Sequence, residues 1–204
     1  MDENRRKILE TCLELYMKFG FRNITMNDIA AKLGISKKTI YQHFDDKRSL
    51  IRAVMDFHLE RHHGEIEQLK SQAHTPIHEL FHLFRFANRQ LAGMHPSIMF
   101  EMQRYYPEAW AQFERYKKEE ILRTIEQNLA RGKASGHYRA GINPQILAQF
   151  FADVPNLIQQ TRERLGEVSL AEVHLHITTH FLYGIATPKG FELIEELENA
   201  SQEN

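Results

Sequence analysis

Residues 25–50 read TMNDIAAKLGISKKTIYQHFDDKRSL and carry the strongest structural signals of the chain. Thr25 followed three positions later by Asp28 fits a capping box, in which each side chain binds the backbone N–H of the other residue at a helix start. Gly34 is placed to end that helix, because glycine readily adopts the left-handed conformation found after a helix C-terminus. Ser36 is then a good N-cap for a second helix. The pattern therefore predicts two short helices joined by a tight glycine turn.

The apolar residues of this stretch give each helix one buried face. Ile29, Ala30 and Leu33 share a face of the first helix, and Ala30 is small enough to let a second helix cross closely. The second helix buries Ile40 and Phe44. Its expected outward residues are Lys37, Lys38, Thr39, Gln42 and His43. Such a pair is a helix-turn-helix, whose second helix enters the major groove of DNA, although helix pairs with a glycine corner also occur in ordinary bundles.

The charge of the chain is unevenly distributed. The 204 residues carry a net charge of -1, from 26 Lys and Arg against 27 Asp and Glu, which by itself indicates no polyanionic partner. Residues 1–50 have a net charge of +3 and the remainder has a net charge of -4. The positive part coincides with the helix-turn-helix, as the electrostatic binding of DNA phosphates requires.

The remaining sequence has helical periodicity and no convincing alternation typical of strands, so we predict an all-α fold. Helices are predicted at residues 3–19, 26–33, 37–43, 47–72, 76–92, 96–104, 107–131, 144–165 and 169–186, with a short acidic helix near 190–199. Pro155 lies inside one of these helices and should kink or split it.

Composition and termini exclude several classes of protein. Hydrophobic residues make up 42% of the chain and charged residues 26%, as in soluble globular proteins. The longest apolar run, at residues 181–186, is too short to cross a bilayer, and the N-terminus has no secretory apolar core. The single cysteine, Cys12, falls on the apolar stripe of the first helix, where a buried packing role is expected. We therefore expect a cytoplasmic protein without membrane association.

The helix-turn-helix stretch resembles the tetracycline-repressor (TetR) family, closely over about the first 55 residues and only in length and helical pattern beyond them. The residues that carry the resemblance are Thr25, Ile29, Ala30, Leu33, Gly34, Ile35, Ser36, Thr39, Tyr41, His43, Phe44, Lys47 and Leu50. It implies a three-helix DNA-binding head, residues 1–46, and a larger helical effector-binding and dimerisation domain, residues 47–204. It also implies a dimeric transcriptional repressor that a small hydrophobic effector releases, without catalytic residues or cofactors.

The same resemblance implies DNA-binding roles that side-chain chemistry supports. Thr25 and Tyr41 are expected to contact phosphates through hydroxyls, His43 through a ring N–H, and Lys47 at the N-terminus of the fourth helix. Lysine can donate to guanine and glutamine can pair with adenine. Many family members have a small residue where Lys38 stands, so its long cation adds either a base contact or another phosphate contact. The predicted DNA-binding set is Thr25, Ser36, Lys37, Lys38, Thr39, Tyr41, Gln42, His43 and Lys47. The expected partner is double-stranded operator DNA with a palindromic sequence.

Two further regions are candidates for effector binding and dimerisation. Residues 76–131 are rich in aromatic and methionine side chains, which suit a pocket for a small hydrophobic effector, although each residue could equally belong to the core. Residues 144–165 and 169–186 carry apolar faces that suit a homodimer or an intramolecular core. The predicted effector-binding residues are Phe84, Phe100, Tyr105, Trp110 and Phe113. The predicted dimerisation residues are Phe150, Phe151, Val154, Ile158, Val173, Ile177 and Phe181.

The histidines leave a second class of function open. Pairs four residues apart occur at His58 and His62, His78 and His82, and His176 and His180. Glu60 with His63, and Glu79 with His82, have the Glu-x-x-His spacing of di-metal carboxylate bundles. A metal-sensing regulator or a metal-dependent helical-bundle enzyme is therefore the alternative. Such a bundle also needs a glutamate from each of two further helices, so we assign no metal ligands.

Overall fold

The computed structural model describes residues 2–202, and this part of the chain is all-α, as predicted. The helices are α1 (Glu3–Phe19), α2 (Met26–Leu33), α3 (Lys37–Tyr41), α4 (Lys47–Gln72), α5 (Pro76–Ala92), α6 (Ile98–Tyr105), α7 (Pro107–Tyr116), α8 (Leu122–Ala134), α9 (Pro144–Ala152), α10 (Val154–Leu165), α11 (Leu170–Ile185) and α12 (Pro188–Gln202). A π-helical turn, Lys117–Ile121, lies between α7 and α8. Within residues 2–202, no helix combines the length and the hydropathy needed to cross a membrane.

Contacts divide the chain into two compact units. The first unit contains the residues up to His63 together with Gly93–Tyr116, and the second contains Gly64–Ala92 together with the residues from Lys117 onward. The domain boundary predicted between residues 46 and 47 does not coincide with a limit of these units, and it stays a prediction.

The core of the first unit forms where the apolar faces of α1, α2, α3 and the start of α4 meet. Ile29, Ile40 and Leu50 have no exposed surface there, and α6 adds the buried Met102. Cys12 is also fully buried, which confirms its predicted packing role. Burial raises the pKa of its thiol to about 12, so the reactive thiolate form is disfavoured at neutral pH.

The second unit is built around α5, which packs against α8, α11 and α12. Phe84 of α5 stacks on Phe151 of α9 with ring centres 4.7 Å apart, and both rings contact Phe181 of α11. The buried carboxylate of Glu79 accepts two hydrogen bonds, of 2.6 and 2.7 Å, from Arg131 Nη2 of α8. An apolar ring cluster and a charge-assisted contact therefore both join α5 to its neighbours.

Several predicted helices differ from the observed ones. The predicted helix 144–165 is divided at Asp153 into α9 and α10, which confirms the break expected from Pro155; that proline lies in the first turn of α10, where a missing N–H is tolerated. The prediction of one continuous helix over 107–131 was wrong, because the π-helical turn interrupts it without any proline or glycine in that turn. Helix α3 ends at Tyr41, two residues earlier than predicted.

Candidate nucleic-acid interface

Helix α2 begins at the capping box that the sequence predicts. The Asp28 N–H donates to Thr25 Oγ1 at 3.2 Å, and the Thr25 N–H and hydroxyl each donate to Asp28 Oδ2 at 2.7 Å. The Thr25 hydroxyl, followed by the Thr25 backbone N–H, lowers the pKa of Asp28. Because the hydroxyl proton is used inside the cap, a phosphate contact by Thr25 requires that hydrogen bond to be exchanged.

The turn between α2 and α3 depends on glycine. Gly34 has φ 67° and ψ 27°, in the left-handed region that other L residues rarely adopt. The following N–H, of Ile35, donates to Ala30 O at 3.0 Å and closes the last turn of α2. Ser36 then caps α3, because its Oγ accepts the Thr39 N–H at 3.1 Å. Local hydrogen bonds thus determine how α3 leaves α2.

Helix α3 turns its apolar residue inward and its polar residues outward. Ile40 has no exposed surface. Lys37 Nζ lies 5.6 Å from the centre of the Tyr41 ring, one turn along, so a cation–π contact keeps these two groups together. Thr39 is half-buried and its hydroxyl is 2.9 Å from Ser36 Oγ, which makes it part of the cap. The exposed members of the predicted set on this surface are Ser36, Lys37, Lys38, Tyr41 and Gln42.

His43 lies at the end of this surface and is partly buried. Its Nε2 is 3.9 Å from Asp2 Oδ2, and Asp2 is the N-cap of α1. Together, the outward groups of α3 offer two ammonium groups, a phenol, a hydroxyl and an amide within seven residues. This combination can bind phosphate oxygens and can also form hydrogen bonds with base edges.

Lys47, in contrast, is turned into the protein. Its Nζ donates to the carbonyl oxygens of Phe21, at 2.6 Å, and of Ile24. Partial burial lowers the pKa of Lys47. The first turn of α4 is already capped, because Asp46 Oδ1 accepts the Ser49 N–H at 2.7 Å. The local geometry therefore differs from the open helix N-terminus on which the predicted phosphate contact was based.

The predicted effector-binding residues are divided between the two units. Phe84 is buried in the second unit. In the first unit, Trp110 and Phe113 pack against the core with ring centres 5.8 Å apart. Phe100 and Tyr105 are exposed, and their rings meet edge to face at 6.3 Å. Phe84 thus belongs to one unit and the other four residues to the other, and the binding role of all five stays a prediction.

The predicted dimerisation residues are mostly buried inside the second unit. Those with little exposed surface are Phe151, Val154, Ile158, Val173 and Phe181. Ile177 is half-buried, whereas Phe150 is 48% exposed. Exposed apolar side chains of the second unit that the predicted set lacks include Ile146, Leu157, Leu165 and Leu175. Sequence periodicity identifies the apolar side of a helix, but only packing decides which apolar residues remain uncovered.

The two Glu-x-x-His motifs lie in different surroundings. The carboxylate of Glu79, which precedes His82 by three residues, is bound by Arg131. Glu60 and His63 are both exposed on α4. Residues 2–202 contain no group of three or more His, Cys, Asp or Glu side chains arranged to hold a metal ion. The local structure thus favours a structural role for Glu79 over the metal-dependent alternative.

The fold and the site together define a helix-turn-helix protein with a second, helical unit. Residues 8–54 match the profile of the family described as "Bacterial regulatory proteins, tetR family". The helix-turn-helix stretch is thus similar to this family, as its residues indicated.

The similar proteins are regulators rather than enzymes. HTH-type transcriptional regulators of Staphylococcus aureus strains bovine RF122 and NCTC 8325 are 38% identical over 73 residues, which is 36% of this chain and 40% of each relative. The matched part thus spans less than half of these relatives. A regulator from Saccharomonospora viridis, solved in complex with choline, has a TM-score of 0.76 at 18% identity over 92% of this chain and 100% of its own. Escherichia coli NemR in its reduced form has a TM-score of 0.75 at 16% identity over 92% of this chain and 99% of its own. At these identities the two structures support the fold alone.

Proposed function

We propose that this chain is a sequence-specific DNA-binding transcriptional regulator that acts as a homodimer. The observation that carries the proposal is the outward face of α3, where five polar residues are exposed on a helix oriented by a glycine turn and a serine cap. The net charge of +3 on residues 1–50 would attract the DNA backbone. The match of residues 8–54 to the family of bacterial regulatory proteins supports the same conclusion.

Within this surface, we assign different tasks to neighbouring residues. Tyr41, whose phenol is exposed beside Lys37, contacts a phosphate. Gln42 is exposed and reads a base edge, because an amide pairs with adenine, whereas the exposed ammonium of Lys38 contacts a phosphate. A dimer presents two copies of α3 to half-sites about 34–36 Å apart, so the operator is palindromic.

The test begins with selection of bound duplexes from a random DNA library by the wild-type protein. We expect a palindromic sequence to be enriched. Binding of Tyr41→Phe and Gln42→Ala is then titrated on the selected duplex and on single-base variants of it. Tyr41→Phe should weaken binding to all duplexes similarly, whereas Gln42→Ala should reduce discrimination at one position by about 1–3 kcal/mol. Equal losses on every duplex for both variants would contradict the assignment, and enrichment of no sequence would contradict specific binding.

We propose further that a small hydrophobic effector releases the protein from DNA and that the protein represses transcription. Two partly buried aromatic side chains in the first unit, Trp110 and Phe113, are accessible candidates for an apolar wall. The structure of the S. viridis regulator with choline is consistent with control by a small molecule. A library of small apolar and amphipathic compounds is screened for loss of binding to the selected duplex. A compound that also restores transcription of a reporter behind that duplex would support repression, whereas reporter expression that needs the protein would indicate activation.

A further inference from the structure

The loop between α1 and α2 is held by two charged side chains that are distant in sequence. On one side, Glu101 Oε2 of α6 accepts the backbone N–H of Arg22 at 3.0 Å. On the other side, Lys47 Nζ of α4 donates to the carbonyl oxygens of Phe21 and Ile24. A carboxylate thus binds a donor of the loop backbone, and an ammonium group binds two of its acceptors.

The carboxylate of Glu101 is held in this position by burial and by hydrogen bonds. Glu101 is only 7% exposed, and its second oxygen, Oε1, accepts the hydroxyl of Ser97 at 2.8 Å. The loop lies directly against it, because a Cβ on Gly20 would come within 3.0 Å of Ser97 Oγ and 3.2 Å of Glu101 Oε1. A buried carboxylate is tolerated when hydrogen bonds and a nearby positive charge compensate it, and Lys47 supplies such a charge.

Lys47 binds the loop between α1 and α2 from inside the protein. An ammonium group has three N–H donors, and two of those of Lys47 are used by the loop carbonyls. The loop leads directly into Thr25, the cap of α2, and α2 packs against α3. A shift of the loop therefore displaces the start of the helix-turn-helix without changing any residue on its outward face.

We propose that Glu101 and Lys47 are positioning residues of the DNA interface, which hold the loop between α1 and α2 from opposite sides and do not themselves contact DNA. This inference rests on the proposed function for its DNA readout, and its structural readout is independent of DNA.

The first experiment compares Lys47→Met with Lys38→Met on the duplex selected by the wild-type protein. A lysine that contacts a phosphate contributes about 0.9 to the slope of log K against log salt concentration. We expect Lys47→Met to weaken binding about tenfold, as the loss of charge-assisted hydrogen bonds would, with the slope unchanged. Lys38→Met, which removes an exposed ammonium, is the matched control and should reduce the magnitude of the slope by about 0.9. The same reduction for Lys47→Met would overturn the proposal.

The second experiment measures amide hydrogen exchange in the free protein. Glu101→Ala should speed exchange of the Arg22 amide about tenfold, because its acceptor is removed, while the helices of the second unit remain unchanged. Glu101→Gln keeps an acceptor at the same place and should restore most of the protection. The matched control is Glu108→Ala, which removes only a surface partner of Arg52 at 3.2 Å and should leave Arg22 unaffected.

The two readouts separate the possible failures. Unchanged protection of Arg22 in Glu101→Ala, or equally faster exchange throughout the first unit, would overturn the positioning role. If the library yields no selected duplex while Arg22 exchange responds as expected, the proposed function is wrong. The conclusion that Glu101 positions the loop between α1 and α2 would then still be supported.

Discussion

The two units expose different kinds of side chain. In the first unit, Lys38 and Gln42 project polar groups from α3. In the second, Ile146, Phe150 and Leu157 are apolar and are 66%, 48% and 40% exposed on α9 and α10. Ammonium and amide groups bind favourably to an anionic partner that offers hydrogen-bond donors and acceptors. Exposed apolar groups contribute binding free energy only when another apolar surface covers them. The exposed surfaces of the two units therefore suit different partners. We propose DNA for the polar face of the first unit and a second copy of the chain for the apolar face of the second.

The largest expected effect comes from the apolar side of this comparison. Replacement of both Ile146 and Phe150 by glutamate would place charges in an apolar interface, so we expect the dimer dissociation constant to rise about a hundredfold or more, measured by analytical ultracentrifugation. Phe19→Glu is the matched control, because Phe19 is an exposed apolar residue, 41% exposed, of the first unit. An unchanged dimer dissociation constant in the double variant would show that these residues lie outside the interface.

The next effect concerns a buried charge of the second unit, the carboxylate of Glu79. Arg131→Met leaves the carboxylate of Glu79, which is 2% exposed, without its partner. We expect the free energy of unfolding in urea to fall by about 2 kcal/mol, less than for a fully buried pair because Arg131 is half exposed. Arg123→Met removes a surface pair with Glu120 and should have almost no effect. Similar losses for both variants would contradict a special role for the buried pair.

A smaller effect is expected at the turn that presents α3. Gly34→Val forces a β-branched residue into the left-handed region and should destabilise the first unit by about 1–2 kcal/mol. A Cβ at this position meets nothing within 4 Å, so the loss comes from the backbone rather than from a clash. Gly34→Asn is the control, because asparagine tolerates this conformation better. Chemical denaturation of both variants measures the difference, and equal stability of Val and Asn would argue against backbone strain.

The smallest effect for a single residue is the loss of stability that each buried histidine causes at low pH. Burial lowers the pKa of His58 and His62 in the first unit, and of His174 in the second, to about 4. Since the unfolded histidine has a higher pKa, the unfolded state binds more protons below about pH 6.5, and stability falls as the pH drops towards 4. We expect a loss of about 1 kcal/mol for each histidine by pH 5.5. Thermal unfolding at pH 7.5 and 5.5 checks this.

Histidine variants show which unit loses stability at low pH. His58→Gln with His62→Gln should reduce the pH dependence of the first unit, and His174→Gln should reduce that of the second. A pH dependence that stays the same in all of these variants would place its origin elsewhere.

Local signals explain what the sequence predicts well. The starts of α2 and α3 and the turn between them depend on Thr25, Gly34 and Ser36, whose hydrogen-bond partners lie three or four residues away or nearer. Pro155 likewise acts on its own helix. These interactions are visible in a short window of sequence, so the helix-turn-helix and the break between α9 and α10 could both be predicted.

Other features have no such local signal. The π-helical turn contains only ordinary helix-forming residues, so its extra residue per turn is not evident from the sequence. Lys47 binds carbonyl groups 26 and 23 positions earlier in the chain, and Glu101 binds an N–H 79 positions away. The pattern of charges indicates a basic end, but it does not distinguish an outward lysine such as Lys38 from an inward one.

Short-range sequence signals were enough to predict the helical class, the helix-turn-helix and its resemblance to a known family, because caps, turns and periodicity act over three or four residues. Only the tertiary structure decided that Lys47 points to a loop, that Glu101 faces it, and that Phe150 is exposed while Phe151 is buried. The physical reason is that burial and charge compensation arise between helices that meet in space. Neighbouring residues of the same chemical type can thus receive opposite roles.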